Sequence, residues 1–233
     1  DEEKYLVMVT KQGIIKRISL NAYNTARKGG LIALELNEGD ELAWVRLTDG
    51  NQQVIVATKN GLAIRFEETD VRPMGRQARG VKAISLREGD CVVGMCVVAN
   101  DDLILTASET GFGRISNVSD YRLQSRGGKG ITNYHTEKYG NVAAVSAVKL
   151  DEDIIIISPE GVIIRIAADT VRICNRPSKG VTLMRIGEND KVVTVARAPH
   201  EDSESEKTEE TAEEETSEEN TAPETNAEEN TEE

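Results

Sequence analysis

The sequence predicts an all-β, propeller-like fold built from four repeats of about 50 residues, and three observations predict it. First, a glycine followed by an aliphatic residue recurs every 50 residues, at Gly30, Gly80, Gly130 and Gly180. Second, a glycine turn recurs near the start of each repeat, at Gly13, Gly61, Gly111 and Gly161. Third, short β-branched and aliphatic runs separate these turns, without sustained helical periodicity. Four such sheets arranged radially would protect most of their edges by repetition.

Each repeat is predicted to contribute four strands. In the first repeat these are Tyr5 to Thr10, Ile14 to Leu20, Leu31 to Leu36 and Leu42 to Leu47. Asn60-Gly61 is a strong hairpin signal. Three runs are apolar on both faces, which is typical of strands packed between neighbouring sheets: Val54 to Ala57, Leu103 to Thr106 and Ile154 to Ile157. The repeat boundaries fall at approximately 1–50, 51–100, 101–150 and 151–198.

Charge divides the chain into a body, residues 1–198, and an acidic tail, residues 199–233. The formal net charge of −13 comes from the tail, because 16 of the 41 acidic residues but only one of the 28 basic residues lie beyond His200. The body therefore carries a small excess of bases. The tail is rich in Glu, Thr, Ser and Asn without apolar periodicity, so we expect it to be disordered.

Composition excludes several functional classes. No apolar run approaches the length of a membrane helix, and the charged start is not a signal peptide. The three cysteines form no C-x-x-C pair and suit buried thiols in a reducing compartment, so we expect a soluble, cytoplasmic protein. With two histidines and no nucleophile, zinc or phosphate-loop motif, we expect no catalytic residue, metal or cofactor in this chain.

Positive charge repeats in register with the four glycines that recur every 50 residues, Gly30, Gly80, Gly130 and Gly180, which we call the 50-residue glycines. Arginines stand eight residues before the glycine (Arg72, Arg122, Arg172) and four before it (Arg76, Arg126, Arg176), and a base directly precedes it (Arg79, Lys129, Lys179). The shorter loop of the first repeat carries Arg27 and Lys28. Further bases follow the hairpin glycines and are expected to widen this basic belt: Lys16, Arg17, Arg65, Arg114 and Arg165.

A basic belt beside glycine loops favours sequence-tolerant binding of duplex DNA through its phosphates. Aromatic residues make up only 3% of the chain, which disfavours stacking on single strands. The alternative is that the arginines pair with acidic residues of neighbouring repeats, in a propeller scaffold that binds protein partners. An enzyme in its own right is the third and weakest alternative.

The segment Gln124-Ser125-Arg126-Gly127-Gly128-Lys129-Gly130 resembles the gyrase box, with Ser125 where the box has a base. Together with the tract from Phe66 to Gly80, it makes residues 4–198 similar to the C-terminal DNA-wrapping domain of the A subunit of bacterial type IIA topoisomerases, especially DNA gyrase. That domain is a six-bladed β-pinwheel, a propeller variant with strands exchanged between blades. The chain looks like the last four blades followed by the acidic tail, with the box-like segment in the fifth blade.

The resemblance implies a non-catalytic module that binds and wraps double-stranded DNA and directs negative supercoiling. ATP, magnesium and the DNA-cleaving tyrosine would belong to parts of the enzyme absent from this chain. The implied partners are double-stranded DNA, the B subunit of gyrase and the N-terminal region of its A subunit, in the bacterial cytoplasm and without a membrane. The corresponding domain of topoisomerase IV remains an alternative.

The box-like segment supplies the first expected DNA contacts, Arg126 and Lys129, with Gln124, Gly127, Gly128 and Gly130 beside them. The remaining expected contacts are Arg76, Arg79, Arg122, Arg172, Arg176, Lys179, Arg27 and Lys28. About 35 flexible tail residues would span on the order of 30 Å. We therefore expect the tail to compete with DNA for the belt; the alternative is that it serves solubility alone.

Overall fold

The structure, a computed structural model, describes residues 3–25, 29–187 and 190–200, and it is all-β apart from short helical turns. Residues 1–199 form one compact unit; of the second unit, residues 200–233, only His200 is described. The prediction of an all-β, propeller-like fold is confirmed. The expected disorder of the tail concerns residues that, from 201 onward, lie outside the described part of the chain.

Fifteen strands form four antiparallel sheets within the described residues. In chain order they are β1 (Tyr5–Thr10), β2 (Ile14–Ser19), β3 (Leu42–Thr48), β4 (Gln53–Thr58), β5 (Leu62–Glu67), β6 (Val81–Lys82), β7 (Val92–Val98), β8 (Leu103–Ser108), β9 (Phe112–Asn117), β10 (Ile131–Thr132), β11 (Val142–Val148), β12 (Glu152–Ile157), β13 (Ile163–Ala167), β14 (Val181–Thr182) and β15 (Thr194–Pro199). A single-turn helix, α1, spans Thr136–Tyr139, and 3-10 turns span Leu20–Tyr23, Glu68–Asp70, Val118–Asp120 and Ala168–Thr170.

Each of the first three sheets is completed by a two-residue strand from a later repeat. The strand orders are β3-β1-β2-β6, β7-β4-β5-β10 and β11-β8-β9-β14, whereas the fourth sheet, β15-β12-β13, has three strands among the described residues. Each of the first three blades is therefore joined to the next repeat by hydrogen bonds to the exchanged strand, in addition to the continuous chain.

The predicted strand from Leu31 to Leu36 is wrong, because these residues form no strand. Their counterparts in later repeats pair over only two residues, and they pair with the hairpin of the preceding repeat. Within the described residues, Leu31 and Ile32 have no preceding hairpin to join. The other three strands predicted for the first repeat are confirmed to within one residue.

The core lies between adjacent sheets. Val54 to Ala57 are fully buried on both faces, and Ile104 and Leu105 are almost as inaccessible, as their unbroken apolar runs predict. The edge strand β7 contacts β3 and β11, and β11 also contacts β15, so successive sheets pack through these strands. The exchanged strands β6, β10 and β14 lie at the opposite edges of their sheets, which we call the outer edges.

Positive backbone φ angles explain the hairpin glycines. Gly61 has φ +84° between β4 and β5, and its equivalents Gly13, Gly111 and Gly161 have φ between +79° and +86°. Glycine reaches this conformation without the steric cost that a Cβ imposes, so the turn chemistry predicted from sequence is confirmed.

Candidate nucleic-acid interface

Three equivalent loops carry the predicted basic residues at the outer edges of the sheets. In the first of them, Pro73 forms a parallel bridge to Arg17, and Val81 then pairs with Ile15 on the same strand, β2. The segment between these two attachments is thus held at both ends and projects from the sheet edge. Leu123 and Ile173 start the second and third loops in the same way, on Arg65 and Ile115.

The outermost bases of these loops are exposed. Arg72, Arg122 and Arg172 occupy one equivalent position, and Lys129 follows Arg122 by seven residues on the second loop. Within the described residues, none of these four side chains makes a hydrogen bond or ion pair. Their charges are therefore available to an external anion.

Two further loop bases have weak partners. The Arg79 Nε atom lies 3.5 Å from Glu35 Oε2, and both side chains are more than half exposed. Lys179 is exposed, with Nζ 3.6 Å from the centroid of the Phe112 ring. Exposed ion pairs and exposed cation–π contacts each contribute little, so neither contact prevents binding of a phosphate.

Arg126 and Arg176 instead hold neighbouring blades together. Arg126 Nε donates to the carbonyl of Asp70 at 2.9 Å and Nη1 to that of Lys82 at 3.2 Å. Arg176 Nε repeats the first contact with Asp120 at 2.8 Å, and Nη1 the second with Thr132 at 2.5 Å. Both partners shift by 50 residues together with the arginine, so these contacts are a repeated feature of the blade junction.

The environments of Arg176 and Arg76 differ. Arg176 stacks over Tyr121, with its guanidinium carbon 5.1 Å from the ring centroid, and burial lowers its pKa although an arginine remains charged. Arg76 is half-buried, and within the described residues its side chain makes no hydrogen bond. Its carbonyl accepts a hydrogen bond from Lys16 Nζ at 2.6 Å.

The glycines of the box-like segment pack against the preceding repeat. The N–H of Gly127 donates to the carbonyl of Ala83 at 2.6 Å, and the carbonyl of Gly128 accepts from the N–H of Ser85 at 2.9 Å. A Cβ on Gly130 would lie 2.5 Å from the carbonyl oxygen of Ala63. The close approach of one blade to the next therefore explains why a glycine stands at position 130. The sequence pattern alone had favoured phosphate binding at this position.

Gln124 is half-buried in the same segment. Its N–H donates to the carbonyl of Arg65 at 2.9 Å, whereas its side-chain Nε2 is buried with no hydrogen-bond partner in the described part of the chain. Arg27 and Lys28, the expected contacts of the first repeat, lie outside the described residues.

The expectation that the bases after the hairpin glycines widen the belt is wrong for four of the five residues. Lys16, Arg17, Arg65 and Arg114 are at most 6% exposed. Arg65 Nη1 donates to the carbonyls of Val118 and Tyr121 at 3.0 and 3.1 Å, which anchors the next blade. Their position inside strands, next to core residues, was the sequence signal for burial.

Pairing with acidic residues, the alternative that the sequence left open, holds for part of this inner set. Arg17 Nη1 lies 3.7 Å from Oε2 of the buried Glu68 in the next repeat, and its guanidinium carbon lies 4.4 Å from the centre of the Tyr5 ring. Arg165 is about one-third exposed and bonds Asp153 Oδ2 at 2.7 Å. The buried bases are therefore structural, and the exposed ones remain the candidate interface.

Other functional features are few within residues 3–25, 29–187 and 190–200. This part of the chain contains no helix of the length and apolarity needed to cross a membrane. It also contains no group of three or more His, Cys, Asp or Glu side chains arranged to hold a metal ion. The three cysteines are free, and burial raises the pKa of the Cys96 thiol to about 11.

Four consecutive sheets, exchanged strands and basic loops on the outer edges define a β-propeller-like repeat protein of the pinwheel type. A family model described as "DNA gyrase C-terminal domain, beta-propeller" matches residues 4–49, 52–98, 102–149 and 152–199. Because these matches cover most of the chain, the chain belongs to the DNA gyrase C-terminal domain family.

Sequence relatives agree with this assignment. The chain is 57% identical over 82 residues to the DNA gyrase A subunit of Clostridium acetobutylicum, and 58% identical over 81 residues to that of Halalkalibacterium halodurans. Each match covers 35% of this chain and 10% of the relative. The matched region is therefore a small part of those proteins.

Solved structures show the same architecture. The C-terminal domain of DNA topoisomerase IV superposes with a TM-score of 0.80 at 26% identity, covering 91% of this chain and 67% of that one. A DNA gyrase A C-terminal domain superposes with a TM-score of 0.75 at 29% identity, covering 85% and 67%. The resemblance inferred from the repeats and the box-like segment is confirmed.

Proposed function

We propose that this chain is a non-catalytic module of a gyrase A subunit that binds and wraps double-stranded DNA. The observation that carries the proposal is the set of exposed arginines at one equivalent position of three successive blades, Arg72, Arg122 and Arg172, which have no partner among the described residues. Scattered surface charge has no reason to follow the blade repeat, whereas a curved polyanion meets equivalent positions in turn.

The physics of duplex binding fits this arrangement. Each neutralised phosphate releases condensed counterions, which supplies sequence-independent affinity. Bending 20–30 bp by 40–90° costs on the order of 1–6 kcal/mol, which phosphate contacts on successive blades offset. Arg126 and Arg176 contribute by fixing the loops on which Lys129 and Lys179 lie, as well as through their own charge.

Within a complete enzyme, the proposed role is chiral presentation of DNA. The wrapped duplex would be delivered to the B subunit of gyrase and to the N-terminal region of its A subunit, where ATP-driven strand passage takes place. Wrapping with a single handedness would then bias the product toward negative supercoils. No step of the chemistry is assigned to residues of this chain.

The first test is a mobility-shift titration of the whole chain with a duplex of about 40 bp across a salt series. Roughly six phosphate contacts predict a slope of log K against log salt near −5. Replacing Arg72, Arg122 and Arg172 by alanine should flatten the slope by about 2.7. Absence of duplex binding by the folded protein would refute the proposal and favour the scaffold alternative.

A matched control uses bases away from the loops. Lys138, Lys149 and Lys191 are exposed, but Lys138 lies on α1, and Lys149 and Lys191 line cavities beside the central strands. Their triple alanine variant has the same net charge as the loop variant and should nearly retain the wild-type slope. Equal losses in both variants would show that net charge, rather than the loops, governs binding.

Wrapping is separable from binding. In this test a nicked circular plasmid is sealed by ligase while the protein is bound, and the protein is then removed. If the DNA is wrapped with a single handedness, the linking-number distribution of the plasmid should be shifted. The triple loop variant should give the distribution obtained without protein. Binding with an unchanged distribution would restrict the function to DNA attachment.

A topoisomerase IV module is the second candidate, because the topoisomerase IV domain superposes with a TM-score of 0.80. The sequence relatives of higher identity are gyrase A subunits, which favours gyrase. A chimera in which residues 1–233 replace the matching repeats of a gyrase A protein tests the choice. Restored negative supercoiling supports gyrase, whereas relaxation without supercoiling supports topoisomerase IV.

A further inference from the structure

An apolar residue directly follows the outermost exposed arginine in each of the three loops. It occupies one equivalent position of successive repeats, and its three representatives are Pro73, Leu123 and Ile173. All three are exposed, and for the two larger side chains the exposed fractions are 49% at Leu123 and 44% at Ile173. Single apolar side chains are common on protein surfaces, but they have no reason to recur with a structural repeat. The recurrence indicates that the position has a role.

The main chain at this position is fixed to the edge of a sheet. Leu123 forms a parallel bridge to Arg65, and the N–H of the next residue, Gln124, donates to the Arg65 carbonyl at 2.9 Å. The equivalents Pro73 and Ile173 have the same bridge, followed by the same hydrogen bond. The backbone is therefore held in place while the side chain stays exposed. A ligand that covers this side chain consequently meets a preorganised surface, which lowers the entropic cost of binding.

The exposed apolar side chains continue the core of the blade junction outward. Successive side chains of an extended segment point to opposite faces, so residues two apart share one face. Two positions before Leu123 stands Tyr121, which is fully buried, and its equivalents Val71 and Val171 are buried as well. Arg122, between Tyr121 and Leu123, belongs to the other face. Each loop thus presents apolar surface on one side of the sheet edge and positive charge on the other.

The backbone of duplex DNA has a matching alternation. Anionic phosphates alternate along each strand with deoxyribose rings, which present mainly C–H groups. Neutralising a phosphate yields affinity that falls as salt rises, because counterions are released. Covering apolar sugar surface yields affinity through the hydrophobic effect, which requires no counterion release. A base beside an apolar side chain therefore fits a phosphate beside a sugar.

We propose that Pro73, Leu123 and Ile173 pack against deoxyribose rings of the bound duplex and thereby favour DNA over RNA. The 2′-hydroxyl of an RNA duplex would meet these side chains and lose its hydrogen bonds to water, which costs free energy. Charge complementarity selects a nucleic acid as the occupant, because an exposed arginine adjoins each of the three apolar residues. The proposal rests on the duplex-binding function proposed above, to which it adds recognition of the sugar.

The first experiment separates the apolar contacts from the charged ones. A double variant, Leu123→Ser with Ile173→Ser, is compared with the wild type in mobility-shift titrations of a duplex of about 40 bp across the salt series. Loss of two half-exposed aliphatic side chains should lower the affinity about tenfold at every salt concentration. The slope of log K against log salt should stay unchanged, because no phosphate contact is lost. Replacing Arg122 and Arg172 by alanine should instead flatten the slope by about 1.8.

Leu150 supplies the matched control. It is 43% exposed, like the two tested residues, but lies between β11 and β12, outside the three loops. Leu150→Ser should leave both the affinity and the slope unchanged. A second control exchanges the aliphatic residues, Leu123→Ile with Ile173→Leu, and should retain the affinity because the apolar surface is kept. Circular dichroism and urea unfolding establish that each variant is folded. A double serine variant with lower stability but undiminished affinity would show a purely structural role and contradict the proposal.

An RNA duplex of the same sequence tests recognition of the sugar. The wild type should bind DNA more tightly than RNA, and the double serine variant should reduce this ratio of affinities severalfold. The A-form geometry of RNA affects both proteins alike, so a change in the ratio reports the apolar contacts.

Three results would overturn sugar recognition while leaving duplex binding itself intact. They are wild-type affinity of the double serine variant for DNA, a slope that falls as in the arginine variant, and a ratio of DNA to RNA affinity that does not change. Absence of duplex binding by the folded wild type would refute both this proposal and the DNA-binding function on which it rests.

Discussion

The buried bases after the hairpin glycines and the arginines eight residues before the 50-residue glycines both recur with the repeats but lie in opposite environments. Arg65 is 6% exposed and bonds carbonyls of the next blade, whereas Arg122, on the adjoining loop, is exposed and unpartnered within the described residues. The first set lies on strands between two sheets, and the second on loops attached outside them. Periodicity therefore identifies equivalent positions, but the side of the sheet decides whether a charge is structural or available.

Replacing Arg65 by alanine should have the largest effect on stability. The change leaves the carbonyls of Val118 and Tyr121 without their donor in a buried junction, and each unsatisfied group costs about 1–3 kcal/mol. We expect the free energy of unfolding in urea to fall by about 3 kcal/mol or more. A fall below about 0.5 kcal/mol, as at ordinary surface sites, would show that the buried bases do not hold the blades together.

Arg176→Ala should have an intermediate effect, because it removes hydrogen bonds to the carbonyls of Asp120 and Thr132 at a partly exposed junction. We expect a loss of about 1–2 kcal/mol in the free energy of unfolding, together with weaker DNA binding. Arg172→Ala, four residues earlier in the same loop, is the matched control. It should change stability by less than about 0.5 kcal/mol while reducing the salt slope by about 0.9. Equal stability losses in the two variants would contradict the distinction between them.

The smallest effect is expected at Arg79, which forms an exposed ion pair with Glu35. Arg79→Ala should change the free energy of unfolding by less than about 1 kcal/mol and flatten the salt slope by about 0.9. Glu35→Ala should be similarly neutral for stability but should leave the slope intact or steepen it, because it frees Arg79. Weaker DNA binding by Glu35→Ala would count against Arg79 as a phosphate contact.

Sequence-based prediction succeeded where the signal is local. The hairpin at Asn60-Gly61 and the strand from Val54 were predicted because turn type and an unbroken apolar run depend on a few adjacent residues. It failed for Leu31 to Leu36, since pairing of that tract requires a hairpin from another repeat. It also did not anticipate that Gly130 packs against the carbonyl of Ala63, because that group lies 67 positions earlier in the chain. Contact of Gly130 with DNA stays a prediction.

By itself, the amino-acid sequence determined the 50-residue period, the hairpin turns, the apolar strands and the family resemblance of the box-like segment. Only the tertiary structure decided which arginines are exposed, that Arg126 and Arg176 join blades, and that a strand of the next repeat completes each of the first three sheets. Backbone conformation is set by nearest neighbours, whereas burial and hydrogen-bond partners are set by residues about 50 positions away that the fold brings alongside. For this chain the packing of the blades consequently decides which bases form the candidate interface. The sequence identified these bases but could not distinguish the structural ones from the exposed ones.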